Sequence, residues 1–300
     1  MTKIICNRLN SLYLQRLKLF LMEVFNCPQK FWGHFIGKSY SIGMVPTMGA
    51  LHDGHLSLIE KALIENDKAL VTIFVNPTQF DDNSDLKNYP NELKKDLEKI
   101  SQFGENVSVF TPDKSAVYGN KVHAKKYDLN NLDSVMEGKI RKGHFQGVAT
   151  VVEYFFKTFS PTRAYFGEKD YQQLLIINYL SEKLKFSTKI IGCPIVRAAD
   201  GLAMSSRNMQ LSAEERKIAP QIYKGLKLAK RLAKREKYKK IKLVINEFFQ
   251  DLSLIKLEYF MATNAENLKE FKPNETINSG RGFIGASLGK IRLIDNLDMS

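Results

Sequence analysis

Between residues 41 and 194, short apolar runs alternate with segments of helical period, and this alternation leaves few folds open. Residues 41–45 read as a strand stopped by Pro46 and Gly49, after which Leu56, Ile59 and Leu63 repeat at helical spacing. Residues 69–75 are a continuous apolar run ending at Asn76-Pro77, the pattern of a strand buried on both faces. A helical stretch over 86–100, broken near Pro90, precedes a strand at 107–110 that Thr111-Pro112 ends. A buried helix at 148–159, a strand at 164–166, a helix at 171–183 and a strand at 188–191 follow. Strands alternating with helices join through right-handed crossovers into a parallel sheet covered on both faces. Ligands of such sheets bind beyond the carboxyl ends of the strands. His52 and His55, Asn76 to Gln79 and Gly167 to Asp170 all fall at those ends.

Past residue 195 the texture changes. Ser212 and Glu215 form a capping-box pattern ahead of one long basic helix over 216–242. A further helix over 241–252 and three strands, at 256–261, 282–286 and 290–294, complete the chain. Helices followed by a run of strands imply a smaller α+β domain. The expected fold class is therefore α/β: an extension at 1–40 of uncertain role, a Rossmann-like parallel-sheet nucleotide-binding domain at 41–195, and a C-terminal α+β lid domain at 196–300.

Three cysteines, Cys6, Cys27 and Cys193, lack metal-type spacing and argue for a reducing compartment without a disulfide framework. No apolar run reaches the roughly 18 residues a membrane span needs. Residues 12–25 carry Arg16, Lys18 and Glu23 within apolar sequence and read as an amphipathic helix; an organelle-targeting peptide is the alternative. The cytoplasm is the expected location. The net charge of +13 raises nucleic acid as a partner. Twelve Lys/Arg against the single acid Glu236 between 216 and 242 account for nearly all of it. The aromatic residues of this stretch do not alternate with the charges to stack bases, so a solvated helix face is the better reading, and a nucleic-acid partner is not expected.

The first chemical motif is Met48-Gly49-Ala50-Leu51-His52-Asp53-Gly54-His55. A strand, a glycine turn and a helix start together offer outward backbone N–H groups and the positive end of a helix dipole to phosphate. Two imidazoles can add donors. Taken alone, His52 and His55 fit a helix cap equally well. The second motif, Met204-Ser205-Ser206-Arg207 within 197–208, has the small residues and hydroxyls of a mobile loop, and arginine binds phosphate bidentately. The third, Gly167-Glu168-Lys169-Asp170, puts a lysine at a strand-to-helix turn, where it can balance phosphate charge but is disfavoured by the dipole. The fourth is the pair of neutral amides Gln79 and Gln173, able to bind hydroxyl and carboxylate groups.

The His-x-Gly-His turn together with the Met-Ser-Ser-Arg segment resembles the nucleotidyl-transferase superfamily. Pro46 to His55, Phe74 to Phe80, Gly143 to Val148, Phe166 to Gln173, Asp200 to Asn208 and Arg292-Leu293-Ile294-Asp295-Asn296 are similar, in order and spacing, to the pantoate–β-alanine ligase family. The resemblance runs from about residue 42 to 296. It implies condensation of pantoate with β-alanine to pantothenate, with ATP and Mg²⁺, through pantoyl-adenylate, releasing AMP and pyrophosphate. ATP would lie along Met48, Gly49, Ala50, Leu51, His52, Asp53, Gly54 and His55, against Gly167, Glu168, Lys169 and Asp170, near Val196, and under Met204, Ser205, Ser206 and Arg207. His55, His52, Lys169 and Arg207 would be catalytic, and Gln79, Gln173 and Arg141 would bind pantoate or β-alanine. Asp96 would be linked to the metal, and the chain would be a homodimer.

Two departures from the family pattern are Asn91, where a basic residue is expected, and Lys95, beside Asp96 where an acid is usual. Two rivals stand beside this reading. One is another adenylate-forming nucleotidyl transferase, separated by which acid drives pyrophosphate exchange into ATP. The other is an RNA-binding protein using 216–242, separated by a steep salt dependence of binding.

Overall fold

The computed structural model describes residues 22–35 and 39–300. The chain divides into two compact units. The first holds the described residues up to Leu129 with Arg141–Phe166 and Ile176–Cys193; the second holds Asn130–Ile140, Gly167–Leu175 and Pro194–Ser300.

The first unit is built on a six-stranded parallel sheet of β1 (Glu23–Phe25), β2 (Ile42–Thr47), β3 (Lys68–Ile73), β4 (Val107–Phe110), β5 (Arg163–Gly167) and β6 (Lys189–Cys193). The spatial order is β1-β4-β3-β2-β5-β6. The chain builds outward from β2 through β3 to β4, then returns to add β5 on the other side of β2. The switch point lies between β2 and β5, and its crevice is where such sheets bind ligands. β3 is buried from Ala69 onward, as a central strand sandwiched between helices must be.

Three sequence expectations shift here. β2 does not stop at Pro46 but continues to Thr47, in register with Ile73 of β3. Its pairing with β5 covers Gly43 and Met44, so a proline at 46 forfeits no bond to that neighbour. The 86–100 stretch is two helices, Asn83–Asn88 and Leu93–Ile100. The helix expected over 12–25 lies outside the described residues except for its end, and that end is strand. Glu23, Val24 and Phe25 pair with Ser108, Val109 and Phe110, because an open edge of β4 offers a ladder that helical periodicity cannot foresee.

The His144–Phe159 helix packs across this sheet, with Phe155 and Phe159 stacked edge-on against Phe110 of β4. Glu153 is buried on the same helix and accepts hydrogen bonds from Lys125 and Lys157 at 2.6 and 2.8 Å and from Tyr127 at 2.7 Å. Burial alone would raise its pKa; those three donors outweigh it and bring it down to about 2. A lowered carboxylate pKa contributes stability above the unfolded value, near 4.5, that is lost as pH falls toward 2. Because both lysines are largely exposed, we expect Glu153→Gln to cost about 2 kcal/mol at pH 7 and nothing near pH 2. Urea unfolding at the two pH values checks this; an equal cost at both would refute the electrostatic origin.

The second unit carries an antiparallel sheet of β7 (Lys256–Thr263), β8 (Arg281–Leu288) and β9 (Ile291–Asp298), in that order. Leu226, Ile241, Ile245, Phe249, Phe260 and Ile284 share its core. The single basic helix expected over 216–242 is three helices: Ala213–Ile218, opened by the Ser212–Glu215 capping box, then Gln221–Ala233 and Tyr238–Gln250. Pro220 separates the first two. The next break falls where Tyr238 turns inward and its hydroxyl donates to Glu270 at 2.5 Å. The lysines and arginines therefore sit on the outer faces of separate amphipathic helices. Among the described residues, no helix is long and apolar enough to cross a membrane.

Candidate active site

The carboxyl end of β2 runs directly into the His-x-Gly-His turn. Gly49 and Ala50 both take left-handed backbone conformations, φ +83° and +51°, which swing the chain from strand to helix in two residues. A Cβ at Gly49 would come within 3.0 Å of an Asp96 carboxylate oxygen. For Ala50 this conformation is strained by roughly 1–2 kcal/mol. Asp96 supports it: one carboxylate oxygen accepts the Ala50 N–H at 2.8 Å and the other accepts the Leu51 N–H at 2.7 Å. Lys99 donates to the Leu51 carbonyl at 2.5 Å. Burial raises the Asp96 pKa, against those two N–H bonds.

The Asp53–Glu65 helix starts at His52, whose N–H donates to His55 Nδ1 at 3.3 Å, while the His55 N–H reaches the His52 carbonyl at 2.8 Å. His55 Nδ1 is an acceptor, so its proton resides on Nε2, the atom away from the backbone. The two rings stack with centroids 4.1 Å apart. The helix-cap reading of these histidines is realised, and the cap leaves the His55 ring proton on Nε2. Asp96 thus occupies the Ala50 and Leu51 N–H groups of the turn.

Asp96, expected near a metal, is 1% exposed, and Lys95 beside it turns to Glu92 at 2.5 Å. Among the described residues, no group of three or more His, Cys, Asp or Glu is arranged to hold a cation. We expect Asp96→Ala, which strands two buried N–H groups, to lower stability by roughly 3 kcal/mol. Asp96→Asn keeps one acceptor and should lose about half as much; equal losses in urea unfolding would argue against the acceptor role.

Beyond the end of β3, Gln79 is buried in the Pro77–Gln79 turn. Its amide nitrogen contacts Met48 Sδ at 2.9 Å, and its amide oxygen accepts from Asn76 at 3.0 Å. Asn76 also donates to the Gly147 carbonyl at 3.0 Å and accepts from Tyr118. Only a glycine at 147 lets the helix approach so closely, since a Cβ there would lie 2.5 Å from the Thr78 carbonyl oxygen. The Gln79 carbonyl accepts from His144 Nδ1 at 2.7 Å and from Arg141 at 3.3 Å. A guanidinium only donates, so His144 Nε2 accepts from Arg141 at 3.1 Å, and the ring is neutral with its proton on Nδ1.

The first unit thus brings Met48, Gln79 and Arg141 into one hydrogen-bonded cluster with the histidine turn. Asn76, Tyr118 and His144 complete it and were not assigned as site residues from the sequence. The Gly143 to Val148 stretch was the signal for His144; nothing local marks Tyr118.

The remaining expected residues belong to the second unit. Glu168–Asp170 is a single tight helical turn following β5, with Lys169 3.6 Å from Asp170. Gln173 is half-buried, whereas its neighbour Gln172 is buried and donates to the Leu132 and Val135 carbonyls at 2.7 and 2.9 Å. Val196 accepts the Met204 N–H at 2.9 Å, closing a hairpin through the Arg197–Ala203 bridge. Ser205 caps the Ser206–Gln210 turn by accepting the Arg207 N–H at 3.3 Å. The 197–207 segment, expected as a plain loop, is therefore a hairpin and a capped turn.

A sequence model described as Pantoate-beta-alanine ligase matches residues 28–298. Pantothenate synthetase of Christiangramia forsetii is 46% identical over 260 residues, covering 87% of this chain and 92% of that one. The enzyme of the same name from Aquifex aeolicus is 45% identical over 258 residues, 85% and 90% of the two chains. Among solved structures, pantothenate synthetase from Thermus thermophilus superposes with a TM-score of 0.86 at 35% identity, covering 93% of this chain and 99% of that one. Pantoate-beta-alanine ligase from Francisella tularensis, complexed with beta-gamma ATP and beta-alanine, gives 0.74 at 34% identity over 93% and 98%. The match begins well before residue 42 and takes in the whole of both sheets but β1. The chain belongs to the pantoate–β-alanine ligase family, ligases that form an amide bond between pantoate and β-alanine.

Proposed function

We propose that this ligase works in two steps, with ATP as co-substrate and pantoyl-adenylate as intermediate. The observation that carries the reading is the His52–His55 helix start at the carboxyl end of β2, beside the switch point of the sheet and hydrogen-bonded through Met48 to Gln79. In the first step a pantoate carboxylate oxygen attacks the α-phosphorus of ATP, and the bond to the pyrophosphate oxygen breaks. Pantoate is already ionised at neutral pH, so no general base is needed. The step requires alignment and neutralisation of charge growing on the phosphates. The Nε2–H of His55, with His52, Lys169 and Arg207, offsets that charge. In the second step the neutral β-alanine amine attacks the acyl carbon, the C–O bond to AMP breaks, the nitrogen gives up a proton to solvent, and AMP leaves with the acyl–phosphate oxygen.

In this proposal Met48 to His55, Gly167 to Asp170, Val196 and Met204 to Arg207 contact ATP. Gln79, Gln173 and Arg141 bind the organic acids, with the Arg141 guanidinium directed at a carboxylate. Mg²⁺ enters as a companion of the ATP phosphates, since it takes few protein ligands there. A cytoplasmic homodimer completes the reading; sedimentation of the purified chain tests the assembly. The reaction itself is tested by AMP formation from ATP: we expect it to require pantoate and β-alanine together. AMP released with another acid replacing pantoate at equal rate would overturn the assignment in favour of a different adenylate-forming transferase.

A further inference from the structure

The last strand carries two consecutive buried polar residues, Asp295 and Asn296, 4% and 1% exposed. Neighbours on a strand point to opposite faces, so each must find its own buried partners or destabilise the fold. Asn296 uses every polar atom of its amide. Its nitrogen donates to the Glu168 carbonyl at 2.8 Å and the Lys169 carbonyl at 2.9 Å, and its oxygen accepts from Arg281 at 2.5 Å. Arg281 lies over the Tyr171 ring, its guanidinium carbon 3.9 Å from the centre, and its second amino group donates to the Glu168 carboxylate at 3.1 Å. The turn is thus held by its main chain at Glu168 and Lys169 and by the side chains of Glu168 and Tyr171, which flank it. The lysine ammonium takes no part in the grip.

Asp295 does parallel work nearby. It accepts both arms of Arg197, at 2.6 and 2.9 Å, and Arg197 stacks on Tyr223 at the base of the 197–203 hairpin. One small cavity is lined by Lys169, Ser205, Asn208 and Asp295 together. The end of β9 is therefore where the lysine turn and the Ser205–Arg207 segment are anchored within this unit.

We propose that Asn296, with Arg281, is a positioning residue for the first half-reaction, holding Lys169 in place through the main chain of its turn. This rests on the reading that Lys169 acts in adenylation. Asn296→Asp has the same volume and keeps an acceptor toward Arg281, yet loses both donors. It should lower pyrophosphate exchange into ATP by about 100-fold, the cost of a small misplacement of a catalytic group. Supplied pantoyl-adenylate should still react with β-alanine at a rate within about 3-fold of the parent, a split that general damage to the fold would not produce. In a Lys169→Ala background the same change should cost less than about 3-fold more, because residues acting as one unit are not additive.

If Asn296→Asp does not fold, Asn296→Ala is put through the same cycle. Equal losses in both half-reactions, or a full additional loss in the Lys169→Ala background, overturns the proposal while leaving the role of Lys169 intact. Full activity of Lys169→Ala alone removes the reading beneath it, whatever Asn296 does.

Discussion

Lys169→Ala is expected to lower pyrophosphate exchange into ATP by about 1000-fold, the upper range for removing one preorganised charge-stabilising group. Lys169 stands in the tight turn immediately ahead of the Tyr171–Lys183 helix, where the dipole disfavours a cation by up to about 1 kcal/mol. Its side chain is only 18% exposed, and its neighbour Asp170, at 3.6 Å, is too far for a strong hydrogen bond. A lysine held there contributes little to stability, so the alanine variant should unfold at or slightly above the parent temperature. Lys169→Arg keeps the charge but spreads it over a planar fork, and should recover part of the rate. Near-parent exchange by Lys169→Ala would remove this residue from the catalytic set.

His55→Ala carries the second large effect, about 100-fold or more in the same exchange reaction, because it deletes a donor aimed where phosphate charge develops. The loss needs separating from the helix cap, since His55 Nδ1 also accepts the His52 N–H. Losing that cap alone costs about 1 kcal/mol of stability. His55→Gln separates the two functions: a glutamine at the third helical position restores the reciprocal cap. We expect it to unfold like the parent in urea while the exchange rate stays low. If His55→Gln regained the full rate, the histidine would be a cap and nothing more.

The parallel sheet was legible because strand and helix periods differ sharply within single segments. The strand at 107–110 and the helix at 171–183 agree with the structure to the residue, each bounded by a local stop such as Thr111-Pro112. What escaped depends on residues far apart in sequence. β1 forms because the edge of β4 is open to it, and no periodicity within 12–25 encodes that partner. The helix expected from 148 starts at His144, since this polar side chain finds a buried acceptor on Gln79, 65 positions away. The basic stretch was read as one helix from charge, whereas it breaks at Pro220, and its last residues from Tyr238 belong to the helix expected over 241–252.

At the candidate site the histidine turn and Gln79 were visible as residue types at strand ends and Arg141 only through the family resemblance; in the first unit they form one cluster. Asp96 was visible only as a carboxylate. That it holds two N–H groups of the turn, 45 and 46 positions away, is a tertiary fact. Gln173 was named from the sequence as a substrate amide, and burial commits its neighbour Gln172 to the 132–137 main chain, which no local signal shows.

The two-step account is tested most directly by exchange of labelled pyrophosphate into ATP in the absence of β-alanine. The account predicts exchange that requires pantoate and proceeds without the amine. No exchange with pantoate alone, alongside normal pantothenate production when β-alanine is added, would contradict it.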